Sequence, residues 1–326
     1  MDKLYPLKFK PILKDKIWGG NKLSKLLNKN TNSEKCGESW ELSGVQENLS
    51  VVSEGFLAGN NIQELTEVFM GDLVGEKVFQ KFGVEFPLLI KFIDANDDLS
   101  IQVHPDDEMA RERHGAFGKT EMWYIVQAEN EARLIAGFNR DVDPTEYMKR
   151  LEEGTLQEIL NFEPVAPGDV FFMPAGRVHA IGKGILLAEI QQTSDVTYRI
   201  YDWGRVDDNG NPRDLHTELA IDAIDFKKRE NYRTLYSIEK NKPSLLAECE
   251  YFKTSVLELD KNMERDYSLL DSFVIYMCVD GEVSINTEGN KEVRMIKGET
   301  LLIPAETEFV KLAPSMKARL LEIYIP

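Results

Sequence analysis

"APGDVFFMPAGRVHAI", residues 166–181, is the stretch whose reading decides the fold. Gly168 suits a turn, and the branched and aromatic run after it reads as a strand. Pro174 suits the strand's end, and His179 follows. The same frame returns in "IKGETLLIPAETEFVKL", residues 296–312. Each copy runs glycine, five residues, proline, four residues, then a pocket position: Gly168, Pro174 and His179, against Gly298, Pro304 and Phe309. Such self-similarity marks a duplicated unit. The second copy keeps the frame without the histidine, so it is expected to support the fold without binding metal.

The template resembles the second conserved motif of cupins, which are small double-stranded β-barrels. The resemblance implies a glycine-led hairpin whose strand ends by delivering one histidine into a barrel mouth. Strand-like runs surround it at 87–95, 99–104, 121–129, 132–138, 184–192 and 196–203, then at 252–259, 272–279, 282–286, 299–305 and 318–325. Short strands at this density predict a sandwich or barrel. Helical patterns are fewer: 61–72, 104–115, 143–162 and 214–225. Asp143 and Pro144 read as N-cap and first helical residue, and Gly154 as a divider. The polar segment 227–244 reads as a connection. The expected fold is mainly β, two cupin-like double-stranded β-helix (jelly-roll) barrels with short helical insertions. A metal-binding barrel is expected over residues 1–228. A second barrel without metal ligands is expected over 229–326, covering the first.

The 326 residues suit two ordinary domains or one large β domain with insertions. No run of 18 apolar residues predicts a transmembrane helix, and "MDKLYPLKFKPILKDKIWGG" shows no secretory pattern. Cys36, Cys249 and Cys278 are widely spaced and odd in number. They fit a reducing cytoplasm better than a disulfide framework, and none has the spacing of a cysteine metal site. The formal net charge of −17 disfavours nucleic acid as a partner and is most simply read as solubility. A cytoplasmic protein, monomeric or weakly homo-oligomeric and without a membrane partner, is expected. A small anionic substrate would need cations placed deliberately in one pocket.

In "LSIQVH" (99–104) the strand period of two puts Ser100, Gln102 and His104 on one face, and Ile101 and Val103 on the other. That polar face alone reads equally well as solvent-exposed. His179 at the cupin position and Glu121, opening an apolar strand, add two further N/O donors. Together Gln102, His104, Glu121 and His179 suit one zinc ion, with iron, nickel or manganese as alternatives. His114 reads as a surface residue, and His216, near a helix start, as structural.

"LSIQVHPDD" (99–107), "KTEMWYIV" (119–126), "PGDVFFMPAGRVHAIG" (167–182) and "QQTSDVTYRIYDWGR" (191–205) together resemble the type I mannose-6-phosphate isomerases, in their short bacterial form. "KDKIWGG" (14–20) and "GESWELSG" (37–44) extend the likeness towards the N-terminus. The family's zinc ligands fall on Gln102, His104, Glu121 and His179. The resemblance implies an enzyme of carbohydrate metabolism that interconverts mannose 6-phosphate and fructose 6-phosphate through a cis-enediol. It places the catalytic cation on Arg199 and an active-site lysine on Lys119. The bland alternative for Arg199 is a surface residue paired with Asp195 or Asp202.

Lys91 interrupts an apolar strand, which is costly without an anionic partner or access to water. Lys91 and Ser100 are therefore candidate contacts for the sugar phosphate. Glu189 lies in another apolar strand, where burial predicts a pKa raised towards neutrality. Either Glu189 or Lys119 suits the proton-transferring base. Two other readings stand beside the isomerase: a two-cupin metal dioxygenase, and a sugar-phosphate-binding cupin without catalysis.

Overall fold

The computed structural model describes residues 3–206 and 209–326. In chain order the strands begin β1 (Ile12–Gly20), β2 (Cys36–Ser43), β3 (Leu88–Ala95), β4 (Ile101–Val103), β5 (Glu121–Ala128) and β6 (Arg133–Phe138). They continue β7 (Leu160–Pro164), β8 (Val170–Met173), β9 (His179–Ala180), β10 (Ile185–Gln192), β11 (Tyr198–Tyr201) and β12 (Pro243–Glu248). The last six are β13 (Lys253–Leu259), β14 (Met263–Asp266), β15 (Val274–Thr287), β16 (Val293–Ile296), β17 (Thr300–Ile303) and β18 (Phe309–Tyr324). The helices are α1 (Lys22–Leu27), α2 (Ile62–Val74), α3 (Glu76–Phe82), α4 (Asp107–His114), α5 (Pro144–Glu152) and α6 (Thr217–Ala223).

The first unit contains two antiparallel sheets, ordered β1-β2-β3-β10-β5-β8 and β11-β4-β9-β6-β7. The C-terminal sheet runs β12-β13-β18-β15-β16, with β14 on β18 and β17 on β15. The chain is thus mainly β with short helices, as the sequence predicts.

Strand alternation assigns each side chain a layer. On the six-stranded sheet, Leu88, Ile90, Phe92, Met122, Tyr124, Ala188 and Ile190 share a core with Phe252, Ile275, Leu321 and Ile323 of the C-terminal unit. The alternate residues Ile93, Trp123, Ile125 and Leu187 share a second core with Leu134 and Ala136 of β6. Apolar burial on both faces is why β3 and β10 are buried at every position. The outer face of the five-stranded sheet, with Ile101, Val103, Val178, Ala180 and Tyr198, packs against Tyr147 of α5 and Ala220 of α6.

The repeated frame is realised in backbone. Asp169 N–H donates to Ala166 C=O and Glu299 N–H to Ile296 C=O, both at 3.0 Å, so each glycine sits third in a β-turn. Their φ angles are +94° and +92°, the left-handed region that glycine tolerates. In both turns the following acid folds back: Asp169 Oδ2 accepts from Ala166 N–H and Glu299 Oε2 from Ile296 N–H, each at 2.8 Å. A second turn follows each proline, from Arg177 N–H to Pro174 C=O and from Thr307 N–H to Pro304 C=O. The frames diverge at the last position. His179 is 1% exposed, whereas Phe309 is 50% exposed and stands at the surface.

Several local expectations change. The pattern 143–162 gives α5, capped by Asp143, then a 3-10 turn (Leu156–Ile159) and the strand β7 rather than more helix. Gly154, with φ +69°, breaks the helix, and β7 pairs with β6 instead. The runs 272–279 and 282–286 form one strand, β15, with register shifts beside Asp280 and Gly281. The connection 227–244 lies on the first unit before β12 begins: Tyr232 hydroxyl donates to Phe138 C=O, and Arg233 bridges Phe171. A boundary at 228 therefore precedes a segment packed on the first unit.

Candidate metal centre

The side chains left over by the apolar layers meet inside the first unit. Ile101 and Val103 of β4, and Val178 and Ala180 around β9, belong to the outer core. Gln102, His104 and His179 must then point the other way. On β5, Met122 and Tyr124 join the core shared with the C-terminal unit. Glu121 takes the opposite face with Trp123 and Ile125. The register brings the sequence-distant pair together, since Gln102 is the Cα partner of His179.

His179 Nε2 lies 3.3 Å from Glu121 Oε1, and His104 Nε2 lies 3.6 Å from Glu121 Oε2. The amide end of Gln102 lies 3.3 Å from His179 Nε2. His104, Glu121 and His179 are buried, and their donor atoms lie within 4.8 Å of one another. Each imidazole donates its outer Nδ1–H to a backbone carbonyl, His104 to Val196 at 3.0 Å and His179 to Arg177 at 2.8 Å. This turns the Nε2 lone pairs inward, the orientation that metal-ligating histidines take.

His104 Nε2 and both Glu121 carboxylate oxygens are buried without a hydrogen-bond partner, a costly arrangement unless another group satisfies them. Bonds of about 2.1 Å at tetrahedral angles place neighbouring ligand atoms about 3.4 Å apart, close to the 3.3 and 3.6 Å between Glu121 and the two imidazoles. The residues present therefore fit a divalent ion such as zinc. Burial pushes His104 well below the usual imidazole range and His179 down to about 4, reinforced in both by the charge of Lys119. Both rings are neutral at pH 7, as ligands must be. Burial and the nearby charge of Glu189 push the Glu121 carboxyl up to about 8.

Beside this cluster lies a cavity of about 240 Å³, whose wall includes Gln102, Ser100, Lys119, Lys91, Glu189 and Arg199. The structure thus gathers the predicted substrate and catalytic residues around one space. A larger cleft of about 530 Å³ adjoins it and shares Ser194 and Asp195.

Lys91 has the anionic partner its strand demanded. Its Nζ lies 2.8 Å from Glu189 Oε1, and Trp123 Nε1 donates to Glu189 Oε2 at 2.8 Å. Lys91, Glu189 and Trp123 are register neighbours across β3, β10 and β5. The expected rise in the Glu189 pKa is therefore corrected. Burial would raise it, but Lys91, Lys119 and the two hydrogen bonds hold it below the usual carboxylate range. Lys119 makes one looser contact, 3.5 Å to Glu121 Oε2.

Arg199 pairs with neither Asp195 nor Asp202. Its Nη1 donates to Asp214 C=O at 2.8 Å, and its Nε is buried without a partner. Asp202 is taken by Arg205 and Arg213. The other two histidines lie near this strand: His114, exposed as expected, pairs through Nε2 with Tyr198 hydroxyl at 2.8 Å, and His216 contacts Arg199.

Sequence reasoning assigned no role to Lys16, Trp18, Glu38, Trp40 or Arg213, which also line the cavity. Their signal was present for four of them, in "KDKIWGG" and "GESWELSG". Alternation in β2 would have placed Glu38 and Trp40 on one face. Trp40 Nε1 donates to Glu38 Oε2 at 2.7 Å, and Lys16 Nζ lies 3.3 Å from Glu38 Oε1.

Residues 6–157 match the family profile "Phosphomannose isomerase type I, catalytic domain", and 242–323 match "Mannose-6-phosphate isomerase, cupin domain". The mannose-6-phosphate isomerase ManA of Bacillus subtilis (strain 168) is 37% identical over 305 residues, covering 92% of this chain and 93% of the relative. The mannose-6-phosphate isomerase of Streptococcus mutans is 35% identical over 300 residues, covering 92% of each. The crystal structure of the mannose 6-phosphate isomerase from Bacillus subtilis superposes with a TM-score of 0.88 at 32% identity, covering 98% of this chain and 99% of the other.

Proposed function

The chain belongs to the type I phosphomannose isomerase family, and on that premise we propose that it is a zinc-dependent mannose-6-phosphate isomerase. It would interconvert mannose 6-phosphate and fructose 6-phosphate through a cis-enediol. The observation that carries the metal-dependent reading is the inward-facing donor set of His104, Glu121 and His179 beside a cation-rich cavity, in which His104 Nε2 and both Glu121 oxygens have no hydrogen-bond partner. Gln102, whose amide end lies 3.3 Å from His179 Nε2, would complete four ligands for one zinc ion once its amide presents the oxygen. Other divalent metals fit the same N/O set. When bound, the ion supplies positive charge that polarises a carbonyl oxygen and stabilises anionic oxygen.

The cavity wall carries five cations (Lys16, Lys91, Lys119, Arg199, Arg213) against three carboxylates (Glu38, Glu189, Asp195). That local excess, in a chain of net charge −17, suits a sugar phosphate. Lys91 and Ser100 contribute to holding the substrate. The Arg199 guanidinium, with no carboxylate partner, is free to stabilise negative charge developing on the sugar oxygens. Moving a proton between C2 and C1 falls to Lys119, because both Glu189 oxygens are occupied by Lys91 and Trp123. Glu189 then acts by fixing the Lys91 ammonium in the cavity wall, its other oxygen held by the buried Trp123 indole.

The division into a metal-binding unit, 1–228, and a C-terminal unit, 229–326, belongs to the same proposal, with the connection after 228 strapped to the first unit. No helix of the described residues is long and apolar enough to cross a membrane, and a cytoplasmic location is proposed with the function.

The test is turnover of mannose 6-phosphate by zinc-loaded protein, with incorporation of solvent deuterium at C1. Arg199→Ala should lower kcat by about 10²–10³, the usual loss for a group stabilising an oxyanion. Fully loaded protein that binds mannose 6-phosphate but exchanges no deuterium would instead be a binder.

A further inference from the structure

We propose that His216 is a positioning residue, which fixes Arg199 in the cavity wall by serving as the missing strand partner of β11. The inference rests on the reading of Arg199 as the charge-stabilising group.

β11 is an edge strand. On one side Arg199 is the Cα partner of Gln102 in β4. On the other side no strand of the sheet follows. Residues 214–216 occupy that side and grip Arg199 at three points. His216 N–H donates to Arg199 C=O at 2.7 Å. Arg199 N–H donates to His216 Nδ1 at 3.2 Å. Arg199 Nη1 donates to Asp214 C=O at 2.8 Å. The first two bonds reproduce the double exchange of an antiparallel pair, with an imidazole nitrogen in place of one carbonyl.

His216 stands at the N-cap position of α6 but makes no side-chain cap bond. That position favours Ser, Thr, Asp or Asn, whose side chains cap the helix. Here the ring turns back to Arg199 instead. α6 is anchored to the outer face of the sheet by Ala220, so the grip has a fixed base. Asp202, the carboxylate that would otherwise draw Arg199 from the cavity, is saturated by Arg205 and Arg213. Arg199 makes no ion pair among those described, so its backbone placement and the single bond to Asp214 decide where its guanidinium sits.

Steady-state kinetics and bound-metal content are to be measured for His216→Leu, His216→Asn, Arg199→Ala and the double variant His216→Leu/Arg199→Ala. His216→Leu removes the acceptor and should lower kcat by about tenfold or more, since small misplacements of a catalytic group carry large rate costs, with metal content unchanged. His216→Asn, whose amide oxygen can accept the same N–H, should recover most of that loss. In the Arg199→Ala background, His216→Leu should have little further effect on kcat, because the group it positions is gone. The proposal is overturned if His216→Leu keeps the parent kcat while Arg199→Ala loses it. It is also overturned if the two losses simply multiply, which would mean that His216 acts on the fold at large. Full activity in Arg199→Ala would overturn the reading of Arg199 itself and this inference with it.

Discussion

Lys91 and Glu189 face each other as register partners on neighbouring strands, with Nζ 2.8 Å from Oε1 and both side chains buried. This pair sets the charge balance of the cavity floor. It holds Glu189 ionised, and Glu189 in turn is one reason the neighbouring Glu121 carboxyl is hard to ionise without a cation. Removing one member of such a pair leaves a buried charge uncompensated. Glu189→Gln is expected to destabilise the protein by about 3–5 kcal/mol, and Lys91→Met/Glu189→Gln by distinctly less. Urea unfolding of the single and double variants checks the difference; equal losses would show that the pair is not the cause.

Removing a metal ligand should abolish metal binding and turnover together. His179→Ala removes one of the two imidazoles from the four-ligand set, so bound zinc after gel filtration should fall to near zero. Elemental analysis paired with an isomerase assay measures both. Stoichiometric zinc retained in His179→Ala would mean that the ligand set is wrong.

The metal-free protein should lose stability as pH rises from about 6.5 to 8. The Glu121 carboxyl is raised to about 8 in the fold, against about 4.5 unfolded. Its contribution is complete below 4.5 and lost as pH rises through 8. His179 is lowered to about 4 and His104 well below its usual range, so their contribution is complete above about 6.5 and lost as pH falls towards 4. The two trends oppose each other below 6.5 and leave Glu121 alone above it. There the slope should approach about 1.4 kcal/mol per pH unit. Thermal melts of chelated protein should show the slope, and Glu121→Gln should flatten it.

A hydroxyl of the C-terminal unit reaches the site region. Tyr251 donates to Asp107 Oδ2 at 2.7 Å, while Asp107 Oδ1 accepts from Gly118 N–H and the Gln192 amide. Gln192 in turn accepts from Thr120 N–H, so Asp107 helps to hold the segment that leads through Lys119 into Glu121. Tyr251→Phe should cost about 1 kcal/mol with metal affinity kept. Asp107→Ala, which removes the Gly118 and Gln192 bonds together, should also weaken zinc affinity in chelator competition.

The two repeat glycines should differ in tolerance. Both have left-handed φ, so alanine at either is strained by about 1–2 kcal/mol. A Cβ at Gly298 would also lie 2.4 Å from Leu27 C=O, whereas at Gly168 the nearest atom is 3.6 Å away. Gly298→Ala should therefore lower Tm more than Gly168→Ala, and the reverse order in calorimetry would contradict the packing argument.

The strand period of two and the repeated turn were written in the chain. Alternation alone put Ser100, Gln102 and His104 on one face, and the glycine–proline frame marked both halves of the duplication. These are local properties, set by sterics within a few residues, and local sequence determines them. The partners of each charged side chain were not legible in that way. Lys91 finds Glu189 98 positions away, so the low pKa of Glu189 follows from strand order, not from its apolar neighbours in sequence. Likewise β7 becomes a strand because β6 offers it an edge, and Phe309 stays half-exposed although its frame matches that of His179. His216 reads as a helix start in sequence and becomes the edge partner of Arg199 only once the chain has folded back. Electrostatic and edge-pairing effects act through space, between groups that only the tertiary structure brings within reach.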